Sequence, residues 1–82
     1  MISVYPNPTS GLTTLKIKST ENIQQLDIQI LNASGLVIKK IHPNLSTGNT
    51  EIGMDLRKLS AGIYFIQLKN LGRTETIKLV KQ

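Results

Sequence analysis

At 82 residues the chain is one small domain, and a domain of this size buries only about 60–65% of its unfolded surface. It contains no cysteine and no tryptophan, which excludes a disulfide framework and a cysteine-ligated zinc site. A net charge of +5 suits an acidic partner or a plainly solvated basic surface, and the lysines are too dispersed to form a basic tail.

The first residues, MISVYPNP, have neither the charged n-region nor the apolar h-region of a signal peptide. Met1 is therefore expected to be a start inside a longer protein. No apolar stretch approaches the roughly 18 residues a membrane helix needs, so no membrane insertion is expected. In VYPNPTSG (4–11), Pro6 and Pro8 fix φ and remove two N–H donors. This proline-rich lead segment is expected to run extended and to pair poorly with other strands. Thr9, Ser10 and Gly11 then turn the chain into a β-sandwich expected over 12–82.

Beyond the turn, apolar residues alternate. Leu15 and Ile17 share a face; so do Leu26, Ile28 and Ile30, with Asp27 and Gln29 opposite. Ile52, Met54 and Leu56 repeat the pattern, then Tyr64, Ile66 and Leu68, then Ile77 and Leu79. Period two predicts half-buried strands. NASG (32–35) predicts a tight hairpin with Gly35 at positive φ, a type I turn plus bulge, and NLGR (70–73) reads the same way. The longer loop around Pro43 is expected to switch between sheets. In DLRKLSAG (55–62), Asp55 can accept backbone N–H bonds, Leu56 and Leu59 stand three apart, and Gly62 offers a left-handed exit. That predicts one turn or a tight corner rather than a helix. GIYFIQLKN, apolar on both faces at its start, is the expected central strand.

Short strands punctuated by turns predict an all-β fold, a small immunoglobulin-like β-sandwich of about seven strands with Greek-key connections. LSAGIY resembles the corner of fibronectin-type and immunoglobulin-like domains, where the Tyr64 hydroxyl would bond a nearby backbone group. The tryptophan and cysteines of the immunoglobulin core are absent.

Residues for chemistry are sparse. His42 stands alone beside Pro43, and Glu21, Asp27, Glu51, Asp55 and Glu75 are scattered. No nucleophile elbow, zinc-binding or phosphate-binding motif occurs. No catalytic, cofactor-binding or metal-binding residue is expected, and no cofactor. The aromatic residues are Tyr5, Tyr64 and Phe65, with Tyr64 in a core-facing register. That is poor provision for stacking on sugars or bases, so a nucleic-acid partner is not expected.

VYPNPTSG nevertheless resembles the opening motif of the C-terminal sorting domains of the type IX (Por) secretion system of Bacteroidetes-type bacteria, most like type A. LDIQILNASGLVIKK is similar to that family's hairpin around a turn glycine, here Gly35. MDLRKLSAGIYFIQL resembles its central motif, matched by Leu59, Gly62, Ile63 and Tyr64, with Asp55 and Leu56 ahead. TETIKLVKQ resembles its terminal strand, with Lys78 at the recurrent lysine. On this resemblance the family-motif positions are Pro6, Asn7, Pro8, Gly11, Gly35, Asp55, Leu56, Leu59, Gly62, Tyr64 and Lys78. The resemblance implies a single sorting domain over 1–82, a recognition module rather than an enzyme. It implies an upstream cargo in the same chain, carried through the periplasm to the outer-membrane surface or medium. The implied partners are the type IX machinery and a surface sortase that removes the tail. Ile77, Lys78, Leu79, Val80, Lys81 and Gln82 are the expected recognition strand, added to or peeled from a partner sheet. An unpaired edge would also allow weak homodimers. The alternative is an immunoglobulin- or fibronectin-like spacer, or a carbohydrate-binding accessory domain, of a secreted bacterial protein.

Overall fold

The computed structural model describes residues 2–70 and 72–82. Leu71, inside the NLGR turn, and Met1 lie outside the described residues. Among the described residues seven strands form: β1 (Ile2–Tyr5), β2 (Leu12–Ser19), β3 (Asp27–Asn32), β4 (Val37–Ile41), β5 (Gly48–Asp55), β6 (Gly62–Asn70) and β7 (Arg73–Lys81). They build two antiparallel sheets, in the orders β1-β2-β5 and β4-β3-β6-β7. Strand β3 sits between β6 and β4, and β5 follows in the facing sheet, which is Greek-key connectivity. The all-β sandwich and the inner position of β6 are as the sequence predicts.

The alternating residues close the core. Leu15, Ile17, Leu26, Ile28, Ile30, Met54, Leu56, Tyr64, Ile66 and Leu79 are buried together with Ile2, Val4 and Leu45. At roughly 1.5–3 kcal/mol for each fully buried aliphatic side chain, this cluster is what opposes the chain's conformational entropy.

The loops are hydrogen-bonded rather than loose. At the β3–β4 hairpin the Gly35 N–H donates to the Asn32 carbonyl at 3.0 Å, and Gly35 has φ +87°. The Asn32 carboxamide Oδ1 also accepts the N–H groups of Ser34 and Leu36, both at 3.0 Å. A register shift between Ile30 and Leu31 marks the bulge. The 42–47 loop does cross between sheets; it is laced to the β2–β3 loop by reciprocal backbone bonds between Ile23 and Leu45.

Two features differ from the sequence expectation. Residues 2–5 form a strand of the sandwich, paired with β2 and placed beside β7. Ile2 and Val4 point inward, but two apolar residues in four are too short a signal to distinguish from a tether. Nor does the proline-rich segment stand clear of the sheets. Both of its X–Pro bonds are cis, and it folds back onto β7.

Candidate functional site

The two ends of the chain make one site. Pro6 and Pro8 have no N–H to offer a neighbouring strand. The side chain between them supplies what they lack. Asn7 Nδ2 donates to the Lys78 carbonyl at 2.8 Å, and Asn7 Oδ1 accepts the Val80 N–H at 3.0 Å. The carboxamide thus copies a peptide group opposite Leu79. One step along, the Thr9 N–H donates to the Val80 carbonyl at 2.9 Å, and the Gln82 N–H donates to the Thr9 carbonyl at 2.8 Å. Thr9 and Lys81 form a parallel bridge. Four backbone groups on the outer edge of β7, between Lys78 and Gln82, are therefore bonded by residues 7–9.

The lead segment is itself held. Thr9 is almost fully buried; its hydroxyl donates to the Leu12 carbonyl at 2.9 Å and accepts the Gly11 N–H at 3.0 Å. The Thr13 hydroxyl donates to the Pro6 carbonyl at 2.9 Å. The Gly11 carbonyl accepts the Leu56 N–H at 2.7 Å. Gly11 has φ +154°, and a Cβ there would collide with the Arg57 side chain and stand 3.2 Å from its Cα. Only glycine lets the 9–11 turn pass this close to the 55–59 corner.

That corner carries the central motif. Asp55 accepts the Arg57 backbone N–H at 3.1 Å and both arms of its guanidinium, at 2.9 and 2.7 Å. These bonds hold the Asp55 carboxyl well below the usual carboxylate range, the guanidinium contributing most. Leu56 is buried, and the Leu59 N–H donates to its carbonyl at 3.0 Å, closing a single turn. The Tyr64 hydroxyl donates to the Ser60 carbonyl at 2.7 Å, the corner bond that LSAGIY predicts. A depression of about 90 Å³, room for about three waters, opens beside Ile38, Lys39, Asp55, Lys58 and Leu59.

The family-motif positions thus fall into three groups. Pro6, Asn7, Pro8 and Lys78 meet in the clamp. Gly11, Asp55, Leu56, Leu59, Gly62 and Tyr64 surround the corner beneath it. Gly35 stands apart, in the β3–β4 hairpin.

The six residues of the expected recognition strand divide by face. Ile77, Leu79 and Lys81 point inward. Lys81 is 8% exposed, and its Nζ donates to the Gln82 carbonyl at 3.1 Å. Lys78, Val80 and Gln82 take the alternate positions; Val80 is half-buried, and Lys78 and Gln82 are exposed. Sequence reading missed the pairing of Asn7 and Thr9 with this strand. Its only signal was an amide side chain placed between two residues that cannot donate. His42 lies at the far side, with Nε2 3.8 Å from Asp27 Oδ1, both exposed. Among the described residues no group of three potential metal ligands gathers.

A family model described as a secretion system C-terminal sorting domain matches residues 3–82, both halves of the clamp included. The chain belongs to this family. No curated protein matches it. The sorting domain is a type IX export signal, directed toward the outer membrane and surface, and it interacts with that secretion machinery. The family is not an enzyme family.

Proposed function

We propose that this sorting domain is carried as a folded tail by an upstream cargo, accompanies it from the periplasm across the outer membrane, and is then removed by a surface sortase cutting ahead of β1. The observation that carries the reading is the clamp. The lead motif nearest the cargo and the strand nearest the C-terminus are one hydrogen-bonded unit. A receptor that grips the terminal strand thereby also holds the cargo junction. Residues 77–82 remain the proposed contact, through the outward side chains Lys78, Val80 and Gln82.

The test is a fusion of residues 1–82, with an upstream linker, behind a signal peptide and a fluorescent reporter in a type IX-competent bacterium. Export of the reporter to the surface or medium is expected, with loss of the tail mass. Deleting Lys78–Gln82 should retain the reporter, but it also removes buried Leu79 and unfolds the tail. Lys78→Ala, which leaves the core intact, is therefore run beside it. Retention of the intact fusion while an established sorting tail is exported would favour the spacer reading, which the Tyr64–Ser60 corner also suits.

A further inference from the structure

Alternation along the four-stranded sheet leaves one set of side chains on its outer face. Cross-strand pairing orders them. Leu31 lies opposite Val37 on one side and Phe65 on the other, and Phe65 lies opposite Lys78. Ile63 lies opposite Val80. Val37 is 43% exposed and Ile63 40%, while Leu31, Phe65 and Val80 are half-buried against one another. The other end of the same face carries Gln29 opposite Lys40 and Gln67, and Thr76 beyond; there the face is ordinary and solvated. The apolar block is confined to the end where β7 is clamped.

Among the described residues, the charge within the apolar end of this face is Lys78. Lys78 stands in the apolar row opposite Phe65, whereas Lys40, opposite Gln29, and Lys69, opposite Asp27, lie toward the other end of the sheet. The acid on the face, Asp27, is at the opposite end beside His42. A second copy would bring lysine against lysine, in a chain of net charge +5. A lipid surface is matched poorly, because the apolar end carries, among the described residues, Lys78 alone rather than the cluster of basic residues that draws a protein to anionic headgroups. The edge of β7 is already bonded to residues 7–9, so the terminal strand presents its face rather than its edge.

We infer that the outer face formed by Val37, Leu31, Phe65, Ile63, Val80 and Lys78 docks a protein partner whose surface is apolar and carries a carboxylate opposite Lys78. This rests on the sorting reading and names the surface that the machinery holds. An apolar centre with a charged rim is the usual anatomy of a specific protein interface.

The test uses the reporter fusion with Ile63→Glu, Val37→Glu and Lys78→Glu. Leu12→Glu is the control; Leu12 is 58% exposed on the outer face of the other sheet, so the chemistry is the same and the place different. Each variant is first melted to show native folding. The three face variants should lose export at least about tenfold and the control should stay near the intact fusion, since about 1.4 kcal/mol of docking energy is a factor of ten. A photo-crosslinking residue at 63 in an otherwise unaltered chain should join to an outer-membrane component of the type IX apparatus, and one at 12 should not. This arm does not depend on whether the glutamate variants fold. Export of the intact fusion with undiminished export of all three variants overturns the face. Crosslinking from 12 and not from 63 does the same. Normal export of Lys78→Glu alone overturns the acidic partner. Binding of the intact domain to phosphatidylglycerol vesicles, lost in Ile63→Glu, makes the partner a lipid surface and overturns a protein one. Retention of the intact fusion beside an exported sorting tail overturns the sorting reading itself, and this inference with it.

Discussion

Asn7→Ala isolates the clamp. The substitution removes one carboxamide and touches no core residue. It strips partners from the Lys78 carbonyl and the Val80 N–H, while the Thr9 backbone bonds remain. An intramolecular hydrogen bond contributes about 0.5–1.5 kcal/mol net. Both bonds lie at the exposed rim, so water recovers part of each, and the loss should be about 1–1.5 kcal/mol in total. For a domain of this size that lowers Tm by roughly 4–12 °C. Urea denaturation should show a lower midpoint with an unchanged slope, because the core still unfolds as one unit. Hydrogen exchange gives the local readout. The Val80 amide, whose partner is Asn7 Oδ1, should exchange faster relative to amides of β6. Asn7→Asp should cost at least as much, because it sets an anion against the Lys78 carbonyl. A stability change within the roughly 0.5 kcal/mol scatter of ordinary surface substitutions, with Val80 exchange unaltered, would refute the assignment.

Three further outcomes follow from the corner below the clamp. Gly11→Ala forces a side chain into Arg57 at positive φ and should cost roughly 1–3 kcal/mol, read as a fall in urea midpoint. Tyr64→Phe removes the hydroxyl bonded to Ser60 and should cost about 0.5–1.5 kcal/mol with the circular dichroism spectrum unchanged. Because the folded-state pKa of Asp55 is depressed, its contribution is present above the ordinary carboxylate pKa of about 3.9 and is lost as pH falls below it. Urea midpoints compared between about pH 6 and about pH 2 should therefore drop less in Asp55→Asn than in the unaltered chain.

The sandwich was legible because it rests on period two. Leu26, Ile28 and Ile30 announce an inward face, and the turn glycine Gly35 announces the reversal after it. Tyr64 was legible for a similar reason: a tyrosine just past a glycine-containing turn, in core register, has few ways to satisfy its hydroxyl. What stayed hidden depends on contacts between the ends of the chain. Ile2 and Val4 form β1 only because β2 and β7 are there to receive them. Asn7 looks like a turn residue in sequence, and nothing local reveals that its amide will stand in for a strand. Lys81 reads as a solvated terminal charge; its burial comes from inward alternation along β7. The apolar face likewise depends on register. Leu31, Ile63, Phe65 and Val80 come from three separate strands, and the sequence does not say that they are neighbours.

The clamp also bears on the two proposed ways of engaging the terminal strand. Strand addition draws its affinity from main-chain groups that are free on an exposed edge. Here the Lys78 carbonyl, both Val80 backbone groups and the Gln82 N–H are already bonded to residues 7–9. An incoming strand would have to break those four bonds and would at best remake the same number. Edge addition would therefore exchange hydrogen bonds without a net gain, and it would uncover Thr9. Peeling β7 away would be worse, because Leu79 has no exposed surface in the folded state. Docking on the outer face breaks none of these contacts and removes apolar surface from water, at about 25 cal/mol per Å². The bonding that stabilises the terminal strand thus leaves its outward side chains as the least costly part to recognise. It also ties their presentation to an intact lead motif at the other end of the domain.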